Sequence, residues 1–348
     1  MANRITGSTD TTGAISVRPK SAKSLLLVCK GTGTATPNIM HTVVGTNDAK
    51  TKFGETASKL VKILINNGVD NIKCVNVSTT GDAAAYTAAM DASLADNSIK
   101  VVILDTVVPD IVTALKSHLA KAEGEDMFRY GVVGLTATTS DAAVEEVEAI
   151  NDKRVFAPFP NLVDAENNAL DGIYAAAGLG ALIMTETSDP AMPMNGVELI
   201  GFGGVSMPLL KADKITLEQG GVTGIVGNTP SVWRLVTTRT TSSDGEADPI
   251  WHEGTTLFIA DDVLETVINT LQATYKRTKN TSRVLDAIRT TVIGVLEAKE
   301  GLEIIEHFDR NTVSVIQDPE DIYGALVDYE FDVVTPLYTI TITQHMKL

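Results

Sequence analysis

The sequence predicts an α/β and α+β protein, with an α/β domain built on a largely parallel sheet and a C-terminal α+β domain after it. Three observations carry that prediction. From Ser24 onward, short apolar runs alternate with helical patterns in the order βαβαβ. From Ser188 to Pro230 the chain becomes dense in Gly and Pro, a shift in composition. Beyond that shift, two long helical patterns precede strands of strict alternation.

The elements follow in order. The segment up to about Lys20 is rich in Ser, Thr and Gly, and "GAISVRPK" within it alternates Ile15 and Val17 on one face, so it reads as an arm with a short strand. "SLLLVC" is a buried strand, "ETASKLVKILINNG" a helix, "IKCVNV" a strand, the Ala-rich "DAAAYTAAMDASLA" a helix and "IKVVILD" a strand. A helix after Pro109, the strand "YGVVGL", a helix with Ser140 and Asp141 as candidate caps, and the strand "RVFAPF" continue the pattern. "GIYAAAGLGALIM" is a small-residue helix suited to close packing. After the Gly/Pro-rich stretch come "SVWRLVTTRT", a polar loop, helices from about Asp261 to Thr278 and Ser282 to Lys299, and the strands "TVSVIQ" and "YGALVDYEFDVV". In the last run Val327, Tyr329, Phe331 and Val333 share one face, and Asp328, Glu330 and Asp332 the other.

At 348 residues and 44% hydrophobic content the chain can bury one large core or two ordinary ones. A net charge of −16 argues against nucleic acid held through phosphates and against an anionic membrane surface. No apolar run approaches the roughly 20 residues that span a bilayer, and the polar start does not resemble a signal peptide, so a soluble protein made in the cytoplasm is expected. Cys29 and Cys74 lie in strand-like runs and are expected to be buried thiols.

The chemical motifs are incomplete. "GTGTATP" follows a strand, but Thr36 stands where a dinucleotide fingerprint needs glycine, and the next segment is strand-like rather than helical. An ordinary turn is expected. "HEGTT" at His252 has Thr256 where a zinc protease would carry its second histidine, and the five histidines show no i, i+4 pairing. The acidic pairs Glu145–Glu146 and Asp261–Asp262 read as solvated helix faces, and no G-x-S-x-G elbow is present. No catalytic residue, cofactor site or metal site is assigned. One cluster opposes the overall charge: Lys276, Arg277, Lys279 and Arg283, in "YKRTKNTSR" between the two long helices. It is either a solvated turn or a docking patch for an acidic partner. Trp233 and Trp251 are expected to pack in a core.

"SLLLVCKGTGTATPNIMHTVVGTNDAKTKFGE" resembles the start of contractile tail sheath proteins. "RVFAPFPNLVD" before a small-residue helix, "NTPSVWRLVTTRT", "WHEGTTLFIADDVLETVINTLQATY" and a terminal pair of strands follow in the order of that family. The resemblance implies an N-terminal arm with an exchanged strand at 1–22, an α/β sheath domain at 23–228, a C-terminal core domain at 229–334 and an exchanged strand arm at 335–348. The α/β domain would be subtilisin-like yet non-catalytic, since this sequence has no His-Gly-Thr or Gly-Thr-Ser, and its Asp-Thr-Thr-Gly lies in the arm. The usual "pGvY" near the N-terminus is absent as well. Implied partners are further copies of the chain in stacked hexameric rings, an inner tail tube, and baseplate and tail terminator proteins. The particle would be a phage tail or phage-tail-like bacteriocin assembled in the bacterial host cytoplasm. By the same resemblance the basic cluster would face the tube.

The chain's end bears on this directly. Only Thr335 and Pro336 separate Val334 from Leu337, and proline cannot supply the positive φ of a two-residue hairpin. The strand carrying Tyr338, Ile340 and Ile342 should therefore leave its subunit and add to a neighbour's sheet, with Val327, Tyr329, Phe331 and Val333 marking the receiving sheet. Ile15 and Val17 would act likewise at the other end. Two alternatives remain open: a soluble α/β enzyme binding a small ligand at the strand ends, and a filament subunit that donates strands without contracting.

Overall fold

The computed structural model describes residues 23–229, 232–242 and 249–338. Ile15 and Val17 at one end, and Ile340 and Ile342 at the other, lie outside the described residues.

The α/β domain is centred on a six-stranded sheet: β1 (Ser24–Cys29), β2 (Met40–Val43), β3 (Ile72–Asn76), β4 (Ile99–Leu104), β5 (Tyr130–Val132) and β6 (Val155–Phe156). Its order is β2-β3-β1-β4-β5-β6, with β2 an antiparallel edge and every other pairing parallel. β1 and β4 read as nearly unbroken apolar runs because both of their faces are covered. Leu25, Leu27 and Cys29 meet α1 (Thr46–Phe53), α2 (Glu55–Asn66) and the later α6 (Gly172–Glu186) on one side. Leu26 and Val28 meet α3 (Ala83–Asp91), α4 (Pro109–Glu123) and α5 (Ser140–Ile150) on the other. Both cysteines are buried and free.

Local signals set the helix ends. Asp82 accepts from the Ala85 N–H at the start of α3, and Pro109 occupies the first turn of α4. For α5 the cap is Thr139, which accepts from the Ala142 N–H, rather than Ser140 or Asp141. α6 is buried almost all round, and its glycines are steric necessities. A Cβ on Gly180 would stand 2.6 Å from Ile103 Cδ1, and one on Gly178 2.7 Å from Leu199 Cδ1.

"RVFAPF" is not one strand. β6 ends at Phe156 in the large sheet, and β7 (Pro158–Phe159) begins a second sheet after Ala157. β8 (Leu162–Val163) pairs with β10 (Gly204–Val205). β9 (Glu198–Leu199), β11 (Thr223–Thr229) and β12 (Val232–Leu235) complete a four-stranded sheet of order β7-β11-β12-β9, with α7 (Lys211–Gln219) leading into β11. The β11–β12 hairpin straddles the domain boundary expected between 228 and 229, so this sheet runs across it.

A short 3-10 turn at Pro249–His252 leads into α8 (Gly254–Thr274) and α9 (Ser282–Gly301). α8 starts about two turns earlier than its apolar pattern suggests, because Glu253 caps it by accepting from the Thr255 N–H and hydroxyl. Ile259, Val263 and Val267 of α8 pack on Val292 and Leu296 of α9, with Ile304, Ile305 and Val313 beneath. Two ribbons finish the described chain: β13 (Ile305–Glu306) with β16 (Asp332–Val333), and β14 (Ser314–Gln317) with β15 (Ala325–Asp328).

Candidate assembly surface

The expected strand "YGALVDYEFDVV" is divided between these ribbons, β15 pairing with β14 and β16 with β13. Its alternation survives the division. Val327, Tyr329, Phe331 and Val333 are half-buried against the α8–α9 core, and the rings of Tyr329 and Phe331 stack at 6.2 Å. Asp328, Glu330 and Asp332 are exposed. Each ribbon has two strands, so every strand in them keeps one edge of backbone N–H and C=O groups unpaired by a described strand. Ile316, Ile322, Tyr323 and Leu326 are also exposed on and around the β14–β15 ribbon. Strand edges beside exposed apolar side chains can accept a further strand.

Among the described residues, the chain from β16 to Tyr338 does not turn back into a hairpin. Thr335–Leu337 form no strand, and Tyr338 lies against its own subunit. Its hydroxyl donates to Glu253 Oε1 at 2.8 Å, and the Arg239 guanidinium sits 5.7 Å from its ring centroid. Burial and the adjacent Glu253 push its phenol up. Tyr338 thus anchors the root of the C-terminal segment at the start of α8.

Lys276, Arg277, Lys279 and Arg283 are all exposed in the connection between α8 and α9 and the first residues of α9. None forms an ion pair among the described residues. The connection is pinned by Asn280, whose Nδ2 donates to the Ile322 and Gly324 carbonyls, so the four cations ride on an ordered turn beside the β14–β15 ribbon.

The crevice where a doubly wound sheet would take a ligand is filled by the chain itself. β1 and β4 are neighbours whose following connections leave on opposite faces, which makes their C-terminal ends the switch point. There Asp105 accepts from the Lys30 N–H at 2.8 Å and from the Tyr86 hydroxyl at 2.5 Å, and burial pushes its carboxyl up. Lys30 lies over Gly81, where a Cβ would meet its Cδ at 2.5 Å. Gly31 and Gly33 serve packing: a Cβ on Gly33 would fall 2.3 Å from the Lys52 carbonyl carbon. At "HEGTT", the His252 ring nitrogens lie 2.9 Å from the Ser242 carbonyl oxygen and 2.8 Å from that of Glu218. This histidine is a buried brace.

A charged joint between the α/β domain and α8 was not legible as such in the sequence. Arg154, at the head of β6, makes a bidentate pair with Asp261 (2.6 and 2.9 Å) and reaches Glu123 at 2.9 Å. Arg154 and Asp261 are both buried, so the reading of Asp261 as a solvated face is corrected. Burial opposes the Arg154 charge, but its bonds to Asp261 and Glu123 outweigh that and raise its pKa; Glu123 is held down at about 2, chiefly by its bond from Arg154. Lys100 pairs with Glu265, and Lys299 of α9 with Asp262. The signal was an arginine opening an otherwise buried strand, which needs a buried acid to meet it.

No protein-family model and no curated protein matches the sequence. Solved structures do share the fold. The helical sheath of the anti-feeding prophage (AFP) in its contracted state matches with a TM-score of 0.74 at 14% identity, over 100% of this chain and 99% of that one. The sheath of an extracellular contractile injection system, PVC, also contracted, matches with a TM-score of 0.74 at 12% identity, over 100% and 98%. The sheath tail protein of Desulfitobacterium hafniense matches at 0.69 and 10% identity, over 92% and 96%. The chain has the fold of tail sheath proteins along its whole length.

Proposed function

We propose that the chain is the structural subunit of a contractile tail sheath, polymerising as stacked hexameric rings around a tail tube and contracting to drive the tube through a bacterial envelope. The observation that carries this reading is the end-to-end likeness in fold to sheath subunits. The ribbons, whose outer edges no described strand pairs, agree with it, because a helical polymer needs surfaces that accept the next copy.

In this reading the terminal strands cross to neighbouring copies, with Ile15 and Val17 at one end and Ile340 and Ile342 at the other, while Tyr338, expected from the sequence to cross with them, stays on its own subunit as the root of the C-terminal arm. Val327, Tyr329, Phe331 and Val333 hold the receiving ribbons onto α8 and α9, so that the edges rather than the apolar faces are offered. Lys276, Arg277, Lys279 and Arg283 face an acidic tube. Baseplate and terminator proteins cap the polymer, which is assembled in the bacterial cytoplasm. The subunit works without cofactor or catalysis, and contraction draws on two alternative packings of the same rigid subunits. The filled switch-point crevice weighs against the small-ligand enzyme alternative.

Electron microscopy of the chain expressed with its tube partner tests the reading. Wide hollow tubes around a thinner core are expected. A small closed oligomer points to the enzyme alternative, and thin solid fibres to a non-contractile filament.

A further inference from the structure

A groove of about 590 Å³ separates the loop after α6 from the β13–β16 ribbon, lined in part by Asp189, Met192, Leu302, Glu303, Ile305 and Glu306. Met192 and Leu302 are 62% and 67% exposed at its rim. No lysine or arginine among the described residues is ion-paired to Asp189, Glu303 or Glu306; His307, which also lines the groove, has its Nδ1 3.9 Å from Glu306 and 3.2 Å from Asp332. Between 300 and 334 the one lysine or arginine is Arg310, which is already paired with Glu297. The groove is therefore apolar-rimmed, acidic, and beside a ribbon whose outer edges no described strand pairs.

The first described residue, Lys23, bonds the loop that forms one wall of the groove. Lys23 Nζ reaches the Thr187 carbonyl at 3.5 Å, two positions before Asp189. Upstream stands "SVRPK", and residues 1–22 carry Arg4, Arg18 and Lys20 against one acid, Asp10, in a chain of net charge −16. Three residues reach at most about 10 Å, which bounds how far Lys20 can lie from Lys23. Tethering of this kind gives an effective concentration on the order of millimolar, which a free second copy does not match.

We propose that this groove is the docking site for the chain's own Arg18–Lys20 segment in the unassembled subunit. The two cations face Asp189, Glu303 and Glu306 while their apolar stems cover Met192 and Leu302. Docking withholds the Ile15/Val17 strand from neighbouring copies until assembly draws it out; this last step rests on the sheath reading, whereas the docking does not.

The test uses the full chain with Ser21→Cys and Met192→Cys, the natural Cys29 and Cys74 being buried. Dilute protein is oxidised mildly at low salt and run on non-reducing gels. The expected product is an intramolecular disulfide within a monomer. Adding Glu303→Lys and Glu306→Lys, or raising salt to about 0.5 M, should slow its formation about tenfold. Adding Arg18→Glu and Lys20→Glu to the groove reversal should restore the rate, which also shows that the reversed groove is folded. Disulfide-linked dimers would assign the groove to a second copy and overturn the proposal. So would an absent bridge, or a rate indifferent to charge, which would reduce the contact to tether alone. The cross-link is read on monomers, so it stands apart from whether the wild-type chain forms wide tubes.

Discussion

Replacing Asp261 by alanine removes both acceptors of the bidentate pair with Arg154 and leaves that guanidinium, 3% exposed, with Glu123 as its remaining carboxylate. Breaking a buried pair from one side costs ~3–5 kcal/mol, because the surviving charge stays desolvated. Glu123 retains one bond to Nη2, which places the expected loss at the lower end, ~3 kcal/mol. Arg154→Met alone should cost a similar amount by stranding Asp261. The double variant Arg154→Met with Asp261→Leu replaces both charges with apolar groups of comparable length and should lie within ~1–2 kcal/mol of wild type. Urea unfolding of the monomer, followed by circular dichroism with the slope checked for constancy, yields each value and the coupling energy of the cycle. A single Asp261→Ala loss under ~1 kcal/mol, or a double variant as unstable as the sum of the singles, would refute the reasoning. The buried pair would then add nothing to the joint between the α/β domain and α8.

The Glu123 carboxyl, held near 2 against 4.5, contributes stability that is complete above pH 4.5 and lost as pH falls through about 2. With its side chain 34% exposed, that contribution is discounted to ~1–2 kcal/mol, and acid titration of Glu123→Gln should show a correspondingly flatter fall in stability between pH 4.5 and 2. Reversing Lys276, Arg277, Lys279 and Arg283 to glutamate should leave the fold intact and cut co-sedimentation with tubes at low salt; equal decoration by the reversed chain would make the cluster a solvated turn. Deleting Thr339–Leu348 should keep helix and strand signals in circular dichroism, since Tyr338 already closes the described contacts at Glu253, while polymerisation is lost. Sheath-width tubes from the truncated chain would remove the case for strand donation at this end. Proline at Thr341 should mimic the deletion by taking away a ladder donor.

The parts of the fold set by local pattern were legible in the sequence. β1 and β4 are apolar throughout because helices cover both faces, and Val327 to Val333 alternate because one face meets α8 and α9. What sequence could not supply was set by distant partners. α7, "KADKITLEQ", buries little beyond Leu217, so no apolar stripe announced it. "RVFAPF" looks continuous, yet the sheet that claims Pro158 and Phe159 is built by β11, some 65 residues on. The start of α8 was hidden because Glu253 resembles part of a metal motif while acting as a cap. On the assembly surface, the exposure of the four basic residues was readable from composition, but Tyr338 anchored on Glu253 was not, since 85 positions separate them. Asp261 misled for the same reason: an acid on a helix reads as solvated until its buried arginine, 107 positions away, is known.

The passage of the chain from β6 to β7 through Ala157 has a mechanical meaning. Two sheets that share a single intervening residue are joined by covalent bonds, and the Ala157 carbonyl is further held by the Thr223 N–H at 3.0 Å. Under tension, a ladder of hydrogen bonds can slip by one register, whereas a peptide link between Cα atoms 3.8 Å apart has no slack to give. A pull applied to the four-stranded sheet is therefore passed to the six-stranded one through backbone bonds and the Thr223–Ala157 hydrogen bond rather than through side-chain packing alone.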